Sequence, residues 1–126
     1  MESVEKSVTV ANKAIQIERP TGTATLSLRR LGKSDVQNAL AYANGVGFCS
    51  ETIYVRTLVS MAITKVDGQI VDADGEVVPT KPSDFVSRGV IERMAPPALY
   101  DVLTDDEAAA ILAFAAERLT ISQKKA

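Results

Sequence analysis

A chain of 126 residues with 46% hydrophobic residues, 24% charged residues and a net charge of −2 is long enough for one domain with its own core, which excludes whole-chain disorder. Near-neutral charge and an aromatic content of 5% argue against a dedicated nucleic-acid binder, which carries a concentrated basic face or a stacking platform. Histidine is absent, which removes the commonest general base and metal ligand, and a single cysteine, Cys49, cannot form an intramolecular disulfide.

Residues 1–11 are polar and are expected to be a flexible N-terminal segment; the opening MESVEKSV is charged and lacks the apolar stretch of a secretory signal. Residues 12–19, NKAIQIER, place Ile15 and Ile17 on one side and Gln16 and Glu18 on the other, which is strand periodicity. Pro20-Thr21-Gly22 supplies a turn, and ATLSLRRL alternates again through Leu26 and Leu28. The pair reads as a hairpin whose apolar face must be covered, since two strands alone are marginal in water.

A helix follows. Ser34 and Gln37 have capping-box spacing, Val36, Ala39, Leu40 and Ala43 recur at helical spacing, and Asn44-Gly45 has C-cap chemistry. Ser50 is placed to cap a second helix with a stripe of Ile53, Tyr54, Leu58, Met61 and Ala62, and the β-branched run puts a helix-to-strand change near Ile63. The longest apolar run, residues 53–66, is interrupted by Arg56 and Lys65 and falls short of the ~18 residues that span a bilayer. Asp67-Gly68 and Asp74-Gly75 are hairpin-turn signals, and the first predicts a hairpin of residues 63–66 with residues 69–72. Residues 76–78 read as a further short strand or a loop edge.

Lys81-Pro82-Ser83-Asp84 predicts a third helix capped by Ser83, with Val86, Val90, Ile91 and Met94 inward, ended by Pro96-Pro97. Pro97 opens a short helix through Val102, and Thr104 with Glu107 forms a capping box for the last helix. Ile111, Leu112, Ala115 and Leu119 make the inward stripe of that helix, while Phe114 points away from its centre. The second apolar face is either deeply buried or a partner surface, and the pattern leaves both open. Arg118 lies near the helix end, where the dipole favours a cation, and residues 122–126 form a polar tail. The expected fold is α+β: small antiparallel hairpins or a sheet packed with four to five helices in one domain of residues 12–121, its C-terminal part helical.

Motifs for chemistry are weak. DADGE at residues 72–76 fails as a calcium loop because its ends would fall on Ile70 and Lys81, where acids are needed. NGVGF at residues 44–48 lacks the third glycine and the lysine of a phosphate cradle. Cys49 has no histidine to activate it and reads as a small buried hydrophobe. Of the acidic group Asp101, Asp105, Asp106 and Glu107, three sit in the first turn of the last helix, where negative charge is stabilising by about 0.3–1 kcal/mol, and capping explains them without chemistry. Arg19, Arg29 and Arg30 form a basic group that either meets an acidic partner or is a solvated strand face. No catalytic, cofactor-binding or metal-ligating residue is expected.

In order, IQIERPTGTATLSLRRLGKSD, VQNALAYAN, MAITKVDGQIV, KPSDF, VIERMAPPALYDVL and EAAAILAF resemble the small tail assembly chaperones of tailed bacteriophages over residues 12–120. The resemblance implies a protein that is not an enzyme and uses no cofactor. It implies partners among other tail proteins, the helical tape measure protein or the tail tube, leaves room for a homo-oligomer, and places the protein in the host cytoplasm without nucleic-acid or membrane contact. An amphipathic client helix can lie in an apolar groove, and Arg29, Arg30, Ile111, Phe114 and Leu119 are the expected partner-binding residues. The alternative is a structural subunit of the virion, in the neck, tail or baseplate, held by its neighbours.

Overall fold

The computed structural model describes residues 9–45, 51–117 and 119. Two antiparallel sheets and four α-helices are present among these residues, an α+β fold as the sequence pattern predicts. Strands β1 (Ala14–Arg19) and β2 (Gly22–Leu28) pair from Ala14↔Ser27 to Arg19↔Gly22 around Pro20-Thr21. Alternation sends Ile15, Ile17, Ala24, Leu26 and Leu28 inward, each at most 4% exposed. Before β1, Asn12 and Lys13 both have positive φ, and Ala11 and Ala14 exchange backbone hydrogen bonds across them.

Helix α1 (Lys33–Gly45) starts earlier than Ser34 suggests. The Gly32 carbonyl accepts from the Val36 N–H, and the Gly32 N–H donates to Asp35 Oδ2 at 2.9 Å. Asp35, not Gln37, makes the reach-back bond, because it is three residues from the true cap. Ala39 and Ala43 are buried as expected, but Leu40 is 44% exposed. Ser50 and Cys49 lie outside the described residues, as do residues 46–48, Arg118 and the C-terminal tail.

Helix α2 (Glu51–Ala62) passes directly into strand β3 (Ile63–Asp67), at the junction predicted from its β-branched run. Every residue from Thr57 to Ile63 is buried, so the second half of α2 is enclosed on all sides. Thr57 meets this by donating its hydroxyl to the Ile53 carbonyl at 2.7 Å.

The chain then departs from the sequence expectation twice. First, β3 does not fold back on residues 69–72; it pairs with β2, giving the order β1-β2-β3, with Ser27↔Lys65 and Thr25↔Asp67 in register. Asp67-Gly68 therefore turns the chain off the sheet. Gly68 has φ +106 and runs so close to β2 that a Cβ would lie 2.7 Å from the Thr23 carbonyl oxygen. The second Asp-Gly makes the tight turn instead: Asp72 accepts from Asp74 and Glu76 N–H groups, and Val71 bridges Val77.

Second, residues 83–94 are not a helix. Pro82–Asp84 forms one 3-10 turn, and Asp84 accepts from the Lys81 N–H at 2.9 Å. The chain then becomes a hairpin of β4 (Val86–Arg88) and β5 (Ile91–Met94) around Gly89-Val90, with Gly89 at φ +61. Ile91 and Met94 are buried, as both patterns require, but Val86 and Val90 are exposed. Short helix α3 (Pro97–Asp101) and helix α4 (Asp105–Ala115) follow as predicted, and Thr104 and Glu107 form the expected capping box.

One continuous core joins the sheet's inner face, α2, Leu99 of α3, Ile91 and Met94 of β5, and Ile111 and Ala115 of α4. No helix among the described residues is long and apolar enough to cross a membrane. Gly68→Ala is expected to lower stability by about 2–4 kcal/mol in urea titration, through positive-φ strain and the clash with β2; Gly75→Ala, where a Cβ meets nothing, is expected to cost less than half as much.

Candidate partner-binding surface

The five residues expected to meet a partner are spread over two elements. Arg29 and Arg30 sit in the short connection after β2, and Ile111, Phe114 and Leu119 belong to α4 or follow it. Backbone bonds fix that connection at both ends: the Arg29 N–H donates to the Ala62 carbonyl at the end of α2, and the Leu31 N–H donates to the Ala115 carbonyl at the end of α4, both at 2.9 Å. The connection thus satisfies carbonyls that helix ends leave without intrahelical partners.

Arg30 and Phe114 come together. The Arg30 guanidinium lies 4.3 Å from the centroid of the Phe114 ring, and its Nε donates to Glu117 Oε1 at 2.8 Å. Phe114 is half-buried and packs against the core edge, so the pair is a small surface platform: a ring, a cation above it and a carboxylate beside it. Arg29 faces elsewhere. Its Nε donates to the Met61 carbonyl, and its guanidinium pairs with Asp35 at 3.3 Å. It lines a polar groove of about 480 Å³ shared with Ser34, Asn38, Thr64 and Arg93.

Ile111 is fully buried, as is Ala115, and with Glu107 they form the inward line of α4 at four-residue spacing. Leu112, expected inside, is only half-buried because 100° per residue carries it to one flank of that line, while Phe114 lies on the other. Leu119 is half-buried beyond the end of α4. The remaining side presents Asp105, Asp106, Ala109, Ala113 and Glu117 to solvent.

Arg19 does not belong with Arg29 and Arg30. It ends β1 on the same parity as Ile15 and Ile17 and reaches the first turn of α4, where its guanidinium donates to both oxygens of Glu107, at 2.6 and 2.7 Å. It also donates to the Val102 carbonyl at 2.8 Å. Glu107 accepts in addition from the Thr104 N–H at 2.9 Å. The acidic partner of Arg19 is therefore inside the chain. Inward parity at 15, 17 and 19, together with a capping-box carboxylate, was the signal available in the sequence.

Burial pushes the Glu107 carboxyl up, but the hydrogen bonds and charge of Arg19 and the bonds from Thr104 outweigh it, and the net shift is down. The same pairing raises Arg19 against the opposing effect of burial. Among the described residues, no three acidic or cysteine side chains are grouped to hold a metal ion. The chain matches no protein-family model, no curated protein and no solved structure.

A carboxylate held below its unfolded pKa stabilises the fold above that unfolded value and loses the contribution as pH falls through its folded value. Stability is therefore expected to decline on acidification through and below the ordinary carboxylate range, and Glu107→Gln should flatten that decline. At neutral pH Glu107→Gln is expected to cost about 1–3 kcal/mol in urea denaturation, because a partly buried guanidinium loses its charge partner.

Proposed function

We propose that this protein is a non-enzymatic bacteriophage tail morphogenesis protein, a tail assembly chaperone that binds the helical tape measure protein in the host cytoplasm. The reading rests on the likeness of its successive segments to that family. The single structural observation in its favour is the Arg30–Phe114–Glu117 platform beside a helix whose flanks keep Leu112, Phe114 and Leu119 only half covered. An aromatic ring topped by a guanidinium is the kind of anchor that dominates protein–protein contacts. An amphipathic client helix would set its apolar face on the ring and its acidic and basic residues against Arg30 and Glu117. The β4–β5 hairpin stands where the resemblance leads one to expect a helix, so the recognition surface is assigned to α4 and the β2–α1 connection.

Mass spectrometry of purified particles against infected-cell lysate separates the two virus-based roles. The chaperone reading predicts the protein in lysate, in complex with a long helical protein, and absent from finished particles. Recovery from particles at a symmetric copy number would replace it with a virion subunit. Phe114→Asp is expected to abolish co-purification of the tape measure protein while lowering stability by only about 1–2 kcal/mol, since the ring is already partly solvated.

A further inference from the structure

The outer edge of β3 carries a feature that the proposed function does not use. In the β1–β2 ladder, the Leu28 N–H donates to the Lys13 carbonyl, so even-numbered residues of β2 bond to β1 and odd-numbered ones face β3. Ser27↔Lys65 and Thr25↔Asp67 are then the hydrogen-bonded pairs between β2 and β3, and Leu26↔Val66 is a non-bonded pair. The Val66 N–H and C=O point away from the sheet, and among the described residues no group pairs with either. Lys65 and Asp67 flank Val66 on the solvent face, 57% and 63% exposed, with Nζ and Oδ1 3.6 Å apart. A groove lies beside this edge between Val66 and Gly68 on one side and Val77, Thr80, Pro82 and Asp84 on the other; Val66 is 8% exposed and Val77 55%.

We propose that this edge is a homodimer interface in which β3 of a second copy adds antiparallel across a twofold axis at Val66. The charge pattern selects both occupant and register. With Val66 opposite Val66 of the second copy, Lys65 stands opposite the other copy's Asp67, and Asp67 opposite its Lys65. The two Val66 residues exchange both backbone hydrogen bonds, and the two sheets become one of six strands. A shift that centres the axis on Lys65 places like charges directly opposite, which is unfavourable. Edge strands commonly guard themselves with charge, but here the two signs cancel within one strand and complement a second copy. So short an edge predicts a weak dimer, with Val77 adding apolar contact area.

Sedimentation equilibrium of the full chain tests this. A monomer–dimer equilibrium is expected for the unmodified protein. Lys65→Asp and Asp67→Lys, each made alone, place like charges across the axis and should weaken dimerisation at least about tenfold. The double exchange, Lys65→Asp with Asp67→Lys, restores the pairing and should restore the dimer. Far-UV circular dichroism checks that the variants fold, as such exposed side chains allow. In a Cys49→Ser background, Val66→Cys should oxidise to a disulfide-linked dimer, because hydrogen-bonded antiparallel partners have Cα atoms about 5.5 Å apart. A protein monomeric at all concentrations, a dimer indifferent to the reversals or not restored by the exchange, or a Val66→Cys variant that does not cross-link would each overturn the proposal.

Discussion

A two-toothed ion pair closes this fold. Arg19 ends the first strand, Glu107 lies in the first turn of the last helix, and 88 residues separate them in sequence. Every other element is threaded between those two points. The planar guanidinium satisfies two carboxylate oxygens and the Val102 carbonyl at once, which a lysine ammonium could not do in the same geometry. Glu107 in turn caps its own helix by accepting from the Thr104 N–H. One carboxylate thereby sets where α4 begins and where the hairpin ends against it.

Around that closure the core is organised by α2. Its last two turns have no solvent face, so they are packed by the sheet, by α4, by α3 and by β5 together. The β2–α1 connection reinforces this from the side, donating one backbone bond to the end of α2 and another to the end of α4. The Arg30–Phe114 platform sits on that connection. Its position is consequently set by two helix ends and not by a free loop, and a rigid mount of this kind is what a recognition surface requires. The opposite end of the sheet is organised differently. There Gly68 carries the chain off β3 close past β2, and among the described residues no strand pairs with the outer side of β3.

Features encoded within a few residues were legible in the sequence. The β1–β2 hairpin, the Thr104–Glu107 capping box, the Pro97 helix start and the change from helix to strand at Ile63 each depend on local alternation, capping or β-branching. What could not be read was decided by distant partners. Asp67-Gly68 looks like a hairpin turn, but β2 offered β3 a ready edge, and that pairing won. Val86, Val90, Ile91 and Met94 fit a helical stripe, yet only Ile91 and Met94 are buried. Their three-residue separation suits a strand with a local irregularity equally well, and Gly89 at positive φ decides for the hairpin. Of the five residues assigned to a partner, Arg30 and Phe114 meet, Arg29 turns to Asp35, and Ile111 belongs to the core. The Arg19–Glu107 pair was half legible, since strand parity aimed Arg19 inward but nothing local named its partner.

A double-mutant cycle on Arg19→Met and Glu107→Gln measures the closing interaction directly. The single-variant costs are expected not to add: the doubly substituted protein should be more stable than the sum of the two losses by at least about 1.5 kcal/mol, because neither charge is left unpaired in it. Strict additivity, or a Glu107→Gln protein as stable as the parent, would mean that the hairpin and the last helix are held together by apolar packing alone.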